Sequence, residues 1–289
     1  MDLNHYLFRI RRGMVGIATG WIRRAAIPIL SIALSFQTAY GGRLPVNEPA
    51  NQLLIVYDNY TLKKSLTPAW GFSCLITLPK HQILFDTGGD PSILTRNMQE
   101  LDLDCRKIDA VALSHIHGDH VGGLSGFLQQ RQDITVYLPK SFPENFKQAL
   151  RRMGTSVEEI GGPRMIHPGV YTTGELGHGL KEQSLVLKTR RGLVIITGCA
   201  HPGIVEIVEH ATAVFKDRVY LLVGGFHLMG YSLSELKKIA KRLDSLKVEK
   251  IAPCHCSGDE TRGFFKEYYK DNYITCAAGL LLTLPELEQ

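Results

Sequence analysis

From residue 53 onward the chain breaks into short apolar runs closed by polar or glycine-rich stretches. LLIVYD (53–58), FSCLITL (72–78) and HQILFDTGG (81–89) are brief and bounded by turn formers, which predicts three strands. KIDAVALSH (107–115), DITVYLPK (133–140), GVYTTG (169–174) and SLVLKT (184–189) read the same way. So do GLVIITGCAH (192–201), VYLLVGGFH (219–227) and VEKIAPCHCSG (248–258). Helical spacing replaces strand spacing in SILTRNMQEL (92–101), ENFKQALRRMG (144–154), GIVEIVEHATAVF (203–215) and TRGFFKEYYKD (261–271). It is clearest in LSELKKIAKRLDSL (233–246), where Leu236, Ile239, Leu243 and Leu246 share one face. The early strands follow one another without room for helices, and helices then punctuate both halves. That order favours an α/β fold of four αββα layers, two sheets inside and helices outside. Periodicity alone does not separate it from a doubly wound sheet; what stands at the strand ends does.

Those ends carry chemistry. Asp86 closes one apolar run, and SHIHGDH (114–120) closes another with His115, His117, Asp119 and His120. His201, His227 and His255 follow three later strands. A lone histidine at a strand end is ordinarily a surface or satisfied core group. Eight ligand-type side chains at equivalent strand ends are a different matter, because a zinc ion takes three or four nitrogen, sulfur or carboxylate donors at one point. The spacing places His115, His117, Asp119 and His120 on a loop, outside the regular part of any helix. His115, His117 and His201 form one three-nitrogen set; Asp119, His120 and His255 form a second. Two metals lower the pKa of water enough to make it a nucleophile at neutral pH. Asp119 doubles as a catalytic carboxylate. Asp86 supports catalysis from behind, accepting hydrogen bonds that fix an imidazole's orientation. Zinc fits this set, two ions per chain, and manganese or iron(II) suit the same donors. Cys199 and Cys254 flank proposed ligands and read as packing; the role of Cys256 stays open.

SHIHGDH resembles the signature of the metallo-β-lactamase superfamily, and FDTGG (85–89), TGCAHPG (197–203) and PCHCSG (253–258) resemble its other site motifs. The resemblance runs from about residue 53 to about residue 285 and implies the αββα sandwich. It also implies later ligand positions at His201 and His255. VYDNY, GFSCLI, EQSLVL, TGCAHPGI and GGFHL together resemble a narrower branch, the dihydropterin-ribofuranosylaminobenzene phosphate synthases. In that branch's pattern Glu182 and Gln183 fall in EQSL, and either substrate contact or a hydrogen-bonded loop anchor suits them. His178, in a glycine-flanked loop, is a further candidate for substrate contact. One departure matters: many binuclear members carry a bridging aspartate after the helix that follows His201, and no acid lies here between Asp217 and Glu235. His227 is the strong ligand type in that window, as a metal ligand, a substrate contact or a structural group.

Charge and composition narrow the partners. Arg9, Arg11, Arg12, Arg23 and Arg24 against Asp2 give the first 25 residues four of the chain's five net positive charges. No basic stripe with interleaved aromatics follows residue 50, so nucleic acid is not expected as a partner. WIRRAAIPILSIALSFQTAYGG runs from arginines through an apolar stretch to small residues, the order of a signal sequence or a membrane-proximal segment. The expected division is a signal-like segment and linker over 1–52 and one domain over 53–289. Membrane contact is then confined to the first segment. The protein is periplasmic or secreted if that segment is a signal and cytoplasmic otherwise. Six scattered cysteines do not make a disulfide scaffold. The expected activity is hydrolysis of an ester, amide or phosphodiester of a small molecule, phosphorylated or pterin-like. The alternatives are a synthase-type transfer with the metals binding a diphosphate leaving group, and a metal-binding protein without catalysis.

Overall fold

A computed structural model describes residues 51–288; the signal-like segment and most of the linker expected at the N-terminus lie outside the described residues. Thirteen strands form two sheets. The first has seven, in the order β13 (Leu281–Thr283), β1 (Gln52–Tyr57), β2 (Ser73–Thr77), β3 (Gln82–Phe85), β4 (Ala110–Ala112), β5 (Thr135–Pro139) and β6 (Ser156–Ile160). The second has six, in the order β12 (Lys250–Cys254), β11 (Val219–Gly225), β10 (Gly192–Thr197), β9 (Leu185–Thr189), β8 (Val170–Thr172) and β7 (Arg164–His167).

Alternation along the strands explains the layering. Leu53 and Ile55, Ile83 and Phe85, Leu185 and Leu187, and Val194 and Ile196 belong to one buried cluster between the sheets. Residues one step out of phase face the helices. Leu75, Leu84 and Val111 pack with Leu94, Phe127 and Leu150 from α1 (Pro91–Glu100), α3 (Leu124–Gln130) and α4 (Glu144–Arg152). Leu193, Ile195 and Leu222 pack with Ile207, Leu236 and Phe265 from α5 (Ile204–Phe215), α6 (Leu233–Ser245) and α7 (Asp259–Tyr269). This is the four-layer αββα arrangement. The α6 helix begins with a capping box, the Ser232 side chain accepting from the Glu235 N–H while the Glu235 carboxylate accepts from the Ser232 N–H.

Three strands escape the hydrophobic pattern: β6, β7 and β13. All three lie at sheet edges and are partly exposed, so SVEEI, RMIH and LLT lack the buried alternation that marks the others. A second difference lies at the signature. Gly118–Val121 form a single helical turn, α2, with His117 at its N-cap. Asp119 and His120 therefore sit inside a helical turn, which corrects their expected place on a loop. The turn is too short for an apolar period to announce it.

Within the first sheet β3 and β4 run parallel, and within the second so do β10, β11 and β12. The residues following these five strands include every strand-end group singled out from the sequence. Among the described residues no helix is long and apolar enough to cross a membrane.

Candidate metal centre

Four residues at these strand ends, Asp86, Ala200, His227 and His255, take left-handed backbone conformations, with φ of 55°, 63°, 52° and 49°. Such strain in non-glycine residues is tolerated where surrounding contacts fix it. Here it turns the chain sharply out of each strand and aims side chains at one region.

Two donor sets result. In the first, ring nitrogens of His115, His117 and His201 lie within 4.8 Å of one another. The His115 ring stands 4.8 Å from that of His117 and 4.6 Å from that of His201, centre to centre. The second set, within the same limit, is Asp119, His120, His255 and Cys199. The Nε2 atoms of His120 and His255 are 3.2 Å apart, and an Asp119 carboxylate oxygen lies 3.2 Å from His255 Nε2. Cys199 Sγ is 3.1 Å from His120 Nε2. Cys199, read as packing, is buried, and its thiol also stands among these donors. Its position two residues before His201 is the sequence signal, and a buried cysteine reads equally well as core.

The rings are oriented from behind. Asp86, fully buried, accepts from the Ser114 N–H and Ser114 Oγ, each at 2.6 Å, and from His120 Nδ1 at 2.7 Å. Ser114 Oγ in turn meets His115 Nδ1 at 2.8 Å. Because that hydroxyl donates to Asp86, it accepts from His115. One carboxylate therefore sets the tautomers of two histidines, directly and through a serine. Glu182 does the same for the other arm: its oxygens accept the N–H groups of Cys199, Ala200 and His201 at 2.8–3.0 Å and His201 Nδ1 at 2.8 Å. Asn59 Oδ1 lies 3.1 Å from His255 Nδ1, and its Nδ2 donates to the His255 carbonyl at 3.0 Å. In His115, His120 and His201 Nδ1–H is committed and the Nε2 lone pair is left for the site, whereas His255 Nε2 shares a hydrogen bond with Asp119 that a metal would displace.

Electrostatics agree with this division. Burial drives His115 and His120 down to about 3, with neighbouring histidines adding to it, so both rings are neutral at neutral pH. Burial also pushes Asp86 up to about 7. Burial opposes ionisation of Asp119 and Glu182 too. For Asp119 the hydrogen bond to His255 outweighs it, and for Glu182 the bond to His201 does, so both carboxyls lie below their ordinary range.

These donors fit a metal. His115 Nε2 is buried and has no hydrogen-bond partner among the described residues. A neutral imidazole nitrogen left bare in the interior costs free energy unless something electrophilic meets it.

The remaining candidates fall outside the two nitrogen-rich sets. His227 is exposed, with its ring 4.5 Å from that of His201, and shares a third donor set with Cys199 and Cys256. It lines a cleft of about 170 Å3 with His201, Ile204, Phe226, Leu228 and Tyr231. His178 is exposed and joins none of these sets. Glu182 and Gln183 are buried, and their contacts are those of the hydrogen-bonded loop anchor, one of the two readings the sequence left open. Glu182 anchors the His201 turn, while Gln183 accepts from Thr172 Oγ1 at 2.5 Å and donates to the Leu113 carbonyl at 2.8 Å. Asn59 was not picked out from the sequence; an asparagine in VYDNY carries no signal of what it will face.

The relatives are consistent with this geometry. A family model described as the metallo-beta-lactamase superfamily matches residues 71–255. The chain is 30% identical over 268 residues to the 7,8-dihydropterin-6-methyl-4-(beta-D-ribofuranosyl)-aminobenzene-5'-phosphate synthase of Methanocaldococcus jannaschii, covering 75% of this chain and 91% of that protein. It is 26% identical over 147 residues to the ribonuclease Z of Nanoarchaeum equitans, 44% of this chain and 46% of the other. Among solved structures, Tm1679, a metal-dependent hydrolase of the beta-lactamase superfamily, superposes with a TM-score of 0.70 at 27% identity, covering 82% of this chain and all of that one. With its two sheets, its strand-end donors and a family match across most of its length, the chain belongs to the metallo-β-lactamase superfamily.

Proposed function

We propose that the protein is a metal-dependent hydrolase of small ester, amide or phosphodiester substrates, working with two divalent ions, zinc by preference. The observation that carries this reading is the pair of adjacent donor sets, one of three imidazoles and one of mixed imidazole, carboxylate and thiol. His115, His117 and His201 would hold one ion, and Asp119, His120, His255 and Cys199 the other. Bound there, the ions supply Lewis acidity and water of lowered pKa.

The chain's own groups do the rest. Asp86, Ser114, Glu182 and Asn59 hold the imidazoles in one tautomer, so no reorganisation accompanies the reaction. Asp119 is partly exposed and held ionised beside His255, and its Oδ2 would accept a hydrogen bond from the attacking water and orient it. His227 and Tyr231 line the cleft beside His201, and the half-exposed Trp70 leans on His255 at a tilt, ring centres 4.9 Å apart. They offer one polar and two aromatic surfaces to a small substrate.

Metal-replete protein should hydrolyse a chromogenic phosphodiester, ester or lactone, and Asp119→Asn should lower kcat by roughly 10²–10⁴-fold. Complete inertness toward all hydrolysable substrates by a fully loaded protein would overturn the reading. A second reading, a synthase acting on a dihydropterin and an aminobenzene riboside phosphate, is favoured by the 30% identity to the M. jannaschii enzyme. Formation of a joined product without hydrolysis would select it.

A further inference from the structure

A fourth group of donors lies behind His255, apart from the three sets just described. Asp58 follows β1, Cys254 ends β12 and Cys276 precedes β13, and all three are fully buried. One carboxylate oxygen and the two sulfurs lie within 4.8 Å of one another. Asp58 Oδ1 accepts the His255 N–H at 3.2 Å. Asp58 Oδ2 is buried and has no partner among the described residues.

We propose that Asp58, Cys254 and Cys276 form a separate structural site for a thiophilic divalent ion such as zinc. A carboxylate oxygen without a partner in the core is costly, and a cation beside it removes that cost. Two thiolates with one carboxylate are a donor set that zinc accepts, and sulfur separations below 4.8 Å are compatible with bonds of about 2.3 Å to a common centre. A fourth position is left for water or a main-chain carbonyl. Binding displaces the two thiol protons to solvent, giving two thiolates and a carboxylate around a doubly charged ion. The single negative charge left over is balanced by Arg262, whose charge acts on Asp58 and whose Nη2 donates to the Cys276 carbonyl at 2.9 Å. The ion would tie the end of β12 to the end of β1. That fixes the turn carrying His255, because Cys254 precedes His255 and Asn59, which orients its ring, follows Asp58.

Crystals of the full chain grown with zinc test this by anomalous scattering at the zinc edge. A peak among Asp58, Cys254 and Cys276, distinct from any at the histidine sets, is the expected result. Density at the histidine sets with none at this place overturns the proposal and leaves the catalytic reading intact. A Cys254–Cys276 disulfide, or an ordered water bridging Asp58 and Arg262, overturns it as well. Elemental analysis gives a second measurement: Cys276→Ser should lose one ion per chain relative to wild type under identical dialysis. An unchanged ion count in folded variant would also overturn the proposal. If that variant does not fold, the wild-type scattering alone decides.

Discussion

Asp86 bears on two imidazoles at once, so its loss should act on both metal sites. Replacing it with asparagine leaves one acceptor oxygen where the wild type uses two, for the Ser114 N–H on one and for Ser114 Oγ and His120 on the other. The expected outcome is a roughly 10–100-fold loss of metal affinity with the ligands themselves unchanged, read by competition with a chromophoric chelator. The same residue sets a pH dependence. In the metal-free protein burial raises Asp86 to about 7, so below that pH it carries a proton. A bound cation favours the ionised form, and binding must expel that proton. Affinity should therefore weaken as pH falls through about 7, with proton release measurable by calorimetry in buffers of different ionisation enthalpy. Release that is the same at pH 6 and pH 8 would count against Asp86 as the group responsible. At this scale the sequence was generous with ligands and silent on their supports. Histidine at a strand end announces itself, whereas Asn59, Ser114 and Cys199 belong to residue types with many uses, and only the fold tells which use applies.

Among the elements, the strand-to-loop junctions do most of the positioning. Gly198, just after β10, shows how closely the two sheets approach there. A Cβ at that position would stand 2.1 Å from Ser114 Oγ and 3.0 Å from an Asp86 oxygen. Gly198→Ala should thus displace the serine that links Asp86 to His115. A cost of about 1–3 kcal/mol is expected from overpacking, together with weaker metal binding. Thermal unfolding and metal titration check the two effects separately, and a variant with wild-type affinity would show that Ser114 is dispensable. The inner strands and long helices were legible because their apolar periods persist over several residues. The edge strands β6, β7 and β13 and the single turn α2 were not, since edge positions are half solvated and one turn is shorter than its own period.

Among the described residues the hydrophobic core begins at Leu53 and the donors at Asp58. Removing residues 1–50 should therefore leave a soluble chain with unchanged metal stoichiometry, measured by elemental analysis after gel filtration. Aggregation of the truncated chain alone would show that the removed segment completes the core. The αββα architecture was legible from the order of elements, while the meeting of the sheets at one edge depended on contacts between residues far apart in sequence. That meeting also sets the stability. Binding at roughly a thousandfold excess over Kd contributes about 4 kcal/mol per site, and each kcal/mol moves Tm by about 2–4 °C in a domain of this size. Chelation should then lower Tm by about 10 °C or more, and a shift within error would show that the ions do not bridge the sheets.

Each histidine set takes donors from both halves of the sandwich. His115 and His117 follow β4 and His201 follows β10; Asp119 and His120 belong to the first half, Cys199 and His255 to the second. An ion held in either set would be a rivet across a seam that is otherwise closed by side-chain packing. In a cell short of metal, the first sign would not be a slow enzyme but a loosened one. The seam would open more often, and proteases would clear the empty chains before their inactivity was felt.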